Sequence, residues 1–210
     1  MTLCYKFMLD LPALPDPLVL RALKFSRDNN KVQSHSGIAN DTTGGNPYAY
    51  RREVLRNLVS TVSRSHVRFA VDEKIEKWVY NNISQQASSV GLSISVGDQS
   101  HFNSAHTDVS RSFVLIYLLD VSNTDQDTVF WREPEQSLHR DRAVAPYDLD
   151  RLIRVDSVRI PLKTWCYLDS RILHSVENIQ HSRVALQVSF DQDSFKIFDP
   201  VPENYRVLPS

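Results

Sequence analysis

The sequence predicts a mainly β fold, a barrel or sandwich of short strands entered through a helical preface. Two observations carry this. Before Gly91, apolar residues recur at helical spacing; after it, they alternate with polar residues or gather in short apolar runs. No internal repeat or low-complexity tract breaks the pattern, and 210 residues suffice for one domain with a substantial core. The expected organisation is therefore a single domain over 1–210, with 1–90 as a helical preface packed on the barrel and 91–195 as its β core.

The elements follow in chain order. Asp16-Pro17 is a helix start, an N-cap acid followed by proline at the first helical position, and Val19, Ala22 and Leu23 continue it at i, i+3 and i+4. A polar loop is expected from about Asn29 to Pro47, with Gly44-Gly45 marking irregular backbone. A second helix is expected from Tyr50 to Ser63, because Leu55, Leu58, Val59 and Val62 form one stripe. A third begins after Asp72, carries Ile75, Trp78 and Val79 on one side, and fades at Asn81-Asn82. Strands are expected at Leu92–Val96, Phe113–Leu119, Thr128–Trp131, Val158–Ile160, Thr164–Leu168 and Val184–Phe190. Leu92–Val96 and Val184–Phe190 alternate; Phe113–Leu119 is apolar throughout, as in a strand buried on both faces. The charged stretch from Glu133 to Asp156, with Pro134 and Pro146, reads as a long excursion of the lid or binding-loop kind.

Composition narrows the function classes. Hydrophobic residues make up 41% and charged residues 23%, ordinary for a globular domain. Net charge is −1 without a dense basic block, so no nucleic-acid partner is indicated. No apolar run approaches the roughly 18 residues of a membrane span, and the first residues lack a signal-peptide pattern. Cys4 and Cys166 make no disulfide framework; Cys166, between Trp165 and Tyr167, is expected as a buried free thiol, and a cytoplasmic protein fits.

The chemistry concentrates in His106-Thr107-Asp108, His174 and Arg183. In an extended strand, i and i+2 share a face, so His106 and Asp108 can direct an imidazole and a carboxylate at one point. His174, 68 residues further on, must come from another strand, which a barrel can set alongside. Two imidazoles and one carboxylate with the remaining positions open form the facial triad of non-heme Fe(II) oxygenases. Either His101 or His181 remains an alternative ligand; His35, His66 and His139 fall where exposure is the default. Arg183, opening a patterned strand, offers a rigid fork for a carboxylate, and Tyr117 either donates to the same group or is a core aromatic.

The run His106-Thr107-Asp108, Thr164-Trp165-Cys166-Tyr167-Leu168-Asp169, His174-Ser175 and Arg183-Val184-Ala185-Leu186-Gln187-Val188 resembles the Fe(II)/2-oxoglutarate-dependent dioxygenases. Within them it is most similar to the aspartyl/asparaginyl β-hydroxylase and proline hydroxylase branch, over residues 91–191. The resemblance implies a double-stranded β-helix (jelly-roll, cupin-like) with helices packed on one sheet. It implies His106, Asp108 and His174 as iron ligands and Arg183 as the 2-oxoglutarate residue. It further implies O2 as oxidant, ascorbate as a supporting reductant, and hydroxylation coupled to decarboxylation of 2-oxoglutarate. In two respects the chain departs from the pattern. The spacing from His174 to Arg183 is 9, toward the short end, and Ala185 stands where many members carry a Ser or Thr that assists the carboxylate.

The expected partner is a small-molecule or peptide substrate, such as an amino acid or a peptide side chain; the mixed-charge 133–156 stretch is either a lid that selects it or a solvated surface loop, and the oligomeric state is open. Two rival readings share the fold: a non-catalytic jelly-roll ligand-binding module, and a metal-dependent cupin-like enzyme that works without 2-oxoglutarate.

Overall fold

The computed structural model describes residues 2–36, 64–97, 105, 107–108, 111–122, 124–134, 152–179, 182–202 and 205. Their elements run in the order β1 (Tyr5–Phe7), α1 (Asp16–Ser36), β2 (Arg64–Ala70), α2 (Glu73–Asn82), β3 (Ser89–Gly97), β4 (Phe113–Val121), β5 (Thr128–Arg132), β6 (Ile153–Val158), β7 (Trp165–Asp169), β8 (Leu173–Val176) and β9 (Ser182–Phe190). The fold is mostly β, as expected. A six-stranded sheet has the order β1-β7-β4-β9-β3-β2, and a three-stranded sheet the order β6-β5-β8. All these strand pairs are antiparallel.

The larger sheet is buried on both faces, and strand periodicity sorts its side chains. On β4, Phe113, Leu115, Tyr117 and Leu119 point to one side, and on β9 Val184, Leu186, Val188 and Phe190 do the same. They join Val19 and Ala22 of α1 and Ile75 and Val79 of α2 in one core cluster. The intervening residues Val114, Ile116, Leu118, Cys166, Leu168 and Ala185 face the other way. There they meet Phe130 of β5 and Val158 of β6, so the two sheets enclose a second core between them. The helices thus cover one face of the larger sheet and the smaller sheet covers the other.

Helix α2 begins where expected: Asp72 caps it, its Oδ1 accepting from the Lys74 N–H at 3.0 Å. Helix α1 corrects the expected loop boundary, since it continues through Asn29 and Asn30 to Ser36. No proline or glycine falls between Pro17 and Ser36, so only weak propensity opposes the helix there. The rest of the expected loop and the expected helix at 50–63 lie outside the described residues. The preface is also not helical throughout. β1 pairs with β7 and β2 with β3, forming the two edges of the larger sheet. The expected strand at Val158–Ile160 is instead the end of β6 and the residues after it.

Tyr117 is a correction. Its ring lies on the helix-facing side of β4, 4.6 Å from the Trp165 ring centroid, whereas Arg183 occupies an odd position of β9, on the inward side. The donor role expected of Tyr117 toward the Arg183 carboxylate is excluded by the sheet between them, leaving the core-aromatic alternative. Burial raises its phenol pKa above the ordinary value.

Trp165 ties the sheet to the preface by donating from Nε1 to the Pro12 carbonyl at 2.9 Å. Trp165→Ala should cost about 3–5 kcal/mol, the usual loss for a buried aromatic. A lower urea midpoint at unchanged m-value would show it. Tyr117→Phe should leave anion affinity between the sheets within about twofold, since a phenol across the sheet cannot reach that ligand. Isothermal titration with 2-oxoglutarate checks this.

Candidate active site between the sheets

Arg183 is the group hardest to reconcile with a purely structural role. It sits on β9 between Ser182 and Val184, paired across to Ser95 of β3 and Val121 of β4. Alternation turns it inward, where it is only 6% exposed. Its Nη2 donates to the Thr128 hydroxyl at a long 3.5 Å, and its Nη1 has no hydrogen-bond partner among the described residues. A guanidinium carries five donors and stays cationic over the physiological range. Burial lowers the Arg183 pKa to about 10, with the nearby Cys166 sulfur opposing the shift slightly, so the group is still charged at neutral pH. An uncompensated buried charge costs several kcal/mol unless an anion completes it.

His174 shares this interior. On β8 it stands directly opposite Phe130, which belongs to the inter-sheet core, so the two side chains share a face. Thr128, the contact of Arg183, lies two residues before Phe130 on the same inward side of β5. The His174 Nδ1 is 2.8 Å from the Ile172 carbonyl oxygen. A carbonyl only accepts, so this bond assigns the proton to Nδ1 and the lone pair to Nε2. That is the tautomer in which an imidazole binds a metal, with its second nitrogen fixed by a backbone carbonyl.

Asp108 approaches from the side of the β7–β8 turn. Its backbone N–H donates to the Ser170 carbonyl at 3.0 Å, and Ala105 is buried in the cluster containing Val129, Trp131 and Leu173. The Asp108 carboxylate receives the Arg111 Nε–H on Oδ2 at 2.6 Å. Arg111 in turn donates from Nη1 to Gln187 Oε1 at 2.8 Å and to Ser189 Oγ at 3.4 Å. Gln187 and Ser189 occupy the same inward positions of β9 as Arg183. From Gln187 to Arg183 is four residues, or about 13 Å of strand. Arg111 thus ties the Asp108 carboxylate to the side of β9 that carries Arg183, toward the other end of the strand.

Of the expected site residues, His174 and Arg183 lie on the inter-sheet side, Asp108 is tied through Arg111 to the same side of β9, Tyr117 faces the helices, and His106 lies outside the described residues, as do His101 and His181. Among the described residues no three His, Cys, Asp or Glu side chains form a metal-binding group. The donors that are described still suit Fe(II): a lone-pair imidazole nitrogen and a carboxylate of moderate exposure. The unpaired Arg183 Nη1 suits the far carboxylate of a dicarboxylate cosubstrate. Most of the 133–156 stretch also lies outside the described residues. Sequence reasoning missed Arg111 and Thr128. Arg111 stands three residues after Asp108, a spacing that hints at an ion pair; nothing local announces Thr128. Cys166 is buried beside Arg183, and burial pushes its thiol up to about 12.

No family model matches the chain, and no curated protein does. Among solved structures it is similar to a prolyl-4-hydroxylase from Pseudomonas putida, at 10% identity and TM-score 0.43, covering 90% of this chain and 93% of that one. It is similar to AviO1 from Streptomyces viridochromogenes Tue57 at 11% identity and TM-score 0.46, covering 96% and 94%. It is also similar to SnoN, the non-heme α-ketoglutarate-dependent epimerase from nogalamycin biosynthesis, at 13% identity and TM-score 0.41, covering 98% and 90%. A second structure of SnoN is a complex with Fe3+, α-ketoglutarate and nogalamycin RO. All these superpositions are loose, and none assigns an activity to this chain.

Proposed function

We propose that this chain is an Fe(II)/2-oxoglutarate-dependent oxygenase on a double-stranded β-helix, hydroxylating a polar substrate such as an amino acid or a peptide side chain. The observation that carries the reading is the buried Arg183 guanidinium, whose Nη1 has no partner among the described residues, on the inter-sheet side that His174 shares. An aspartyl/asparaginyl or proline hydroxylase type of substrate is favoured by the residue order from His106 to Arg183.

His106, Asp108 and His174 would hold the iron. When bound, the iron and 2-oxoglutarate supply the oxidising chemistry; the protein supplies position and exclusion. Arg183 pairs its fork with the far carboxylate of the cosubstrate. The Thr128 hydroxyl, already at Nη2, orients that fork and provides the hydroxyl that Ala185 lacks. The Ile172 carbonyl keeps the His174 lone pair on Nε2. The inter-sheet core around Phe130, Ile116 and Leu118 keeps water from the guanidinium, which strengthens its pairing with an anion.

Purified protein supplied with Fe(II) and ascorbate should convert 2-oxoglutarate to succinate, and His174→Ala should abolish the conversion. Iron binding without 2-oxoglutarate binding, in an anaerobic titration, would overturn the assignment and favour a cupin-like enzyme of another kind. Arg183→Met should weaken 2-oxoglutarate by about tenfold to a hundredfold, the loss of a charge-assisted bond of about 1.5–3 kcal/mol. The same variant without ligand should melt at or above the wild-type temperature, because it removes a buried charge that no acidic side chain pairs among the described residues. Scanning calorimetry with and without 2-oxoglutarate reads both effects.

A further inference from the structure

The β7–β8 turn, residues 169–172, holds two of the expected site residues. The Ser170 carbonyl accepts the Asp108 N–H at 3.0 Å, and the Ile172 carbonyl oxygen lies 2.8 Å from His174 Nδ1. Arg171 sets the shape of the turn. Its backbone N–H and its Nε–H both donate to Asp169 Oδ1, at 3.1 and 2.9 Å, and its Nη2 donates to Oδ2 at 2.7 Å. The Asp169 side chain is only 1% exposed, so a rigid fork closes the turn around a buried carboxylate.

The same guanidinium meets the segment that follows β9. It lies over the Phe113 ring, 4.4 Å from the centroid, and Phe198 stacks on that ring at 5.7 Å. Its Nη2 also donates to the Asp199 carbonyl at 3.4 Å. The Asp193 carboxylate folds this segment by accepting the N–H groups of Phe195 at 3.3 Å and of Ile197 and Phe198 at 2.7 Å. Phe195 and Phe198 pack against the helix-side cluster, whereas Val201 belongs to the inter-sheet cluster with Ile172 and Phe130. Residues 193–201 thus pass from one face of the larger sheet to the other beside Arg171.

We propose that Arg171 is a positioning residue that makes the seating of His174 and Asp108 depend on residues 193–201. The proposal rests on the reading of those two residues as parts of the site. A backbone carbonyl points where the dihedrals of its turn direct it, and here the Arg171–Asp169 fork holds those dihedrals. Cation–π attraction to Phe113 steadies the fork, and Phe198 supports the Phe113 ring. Loss of the Phe198 ring frees the guanidinium, and the Ser170 and Ile172 carbonyls then move more widely. The imidazole loses the backbone oxygen that fixes its orientation. The segment after β9 thereby acts on the site through one side chain.

Hydrogen exchange followed by NMR in the full chain, without added metal, reads the effect. The His174 Nδ1 proton and the Asp108 amide are the probes. The Leu186 amide, inside the larger sheet between Leu92 and Tyr117, is the internal control. Phe198→Ala should speed exchange at both probes by about tenfold and leave Leu186 within about twofold, the mark of a local opening. Arg171→Lys, which keeps a cation for Asp169 but not the fork, should do the same. Acceleration of all three protons by one factor would mean that ring and fork serve only global stability, and would overturn the proposal. So would an unchanged His174 Nδ1 proton in a folded variant. Should either variant fail to fold, Phe198→Leu removes the aromatic face, keeps an apolar side chain, and decides by the same readings. No reading needs iron or 2-oxoglutarate, so the proposal stands or falls apart from the oxygenase assignment.

Discussion

The two-residue repeat of β9 governs this molecule. The strand lies inside the larger sheet, between β4 and β3, and is buried on both faces. Its side chains must therefore be sorted without help from solvent. The even positions are apolar and meet the helices. The odd positions, Arg183, Ala185, Gln187 and Ser189, line the space between the sheets. A one-residue slip would bury an arginine among α1 and α2 and push leucine and valine into the chamber, so register and site are one constraint. The flanking strands hold that register by pairing along nearly the whole length of β9.

Polarity along that inner face is unevenly satisfied, and the contrast is informative. At the Ser189 end, Gln187, Ser189, Arg111 and Asp108 form a closed network, each charge answered by another. At the Ser182 end, Arg183 has one long bond to Thr128 and an idle nitrogen. Proteins seldom leave a buried donor unused, and a cation less often still. A carboxylate ligand would relieve that destabilisation, which supports the reading proposed for Arg183.

Much of this was legible in the sequence because periodicity is local. The alternation of Val184, Leu186, Val188 and Phe190 announces the strand, and the Asp72 cap with Ile75 and Val79 announces α2; that Arg183 is buried rather than an exposed residue opening the strand is visible only in the folded sheets. β4 marks the limit of that method. A run such as Phe113–Leu119, apolar at every position, does not say which face is which, so it leaves both readings of Tyr117 open. β1 has only three residues and no pattern to read. β2 follows a segment whose leucines and valines recur at helical period, and its own alternation of Val67 and Phe69 with Arg68 is short. Within the site, Thr128 meets Arg183 across 55 positions and Gln187 meets Arg111 across 76, contacts that only the folded sheets create.

The two thiols deserve a separate thought. Cys166 lies beside Arg183 and Cys4 belongs to the same inter-sheet cluster, and for each, burial pushes the pKa up to about 12. At neutral pH both thiols therefore stay protonated. Sulfur is oxidised chiefly through the thiolate anion, by way of sulfenic acid. Burial between the sheets thus keeps both sulfurs in their least oxidisable form, so that oxidising equivalents are less readily spent on the protein itself.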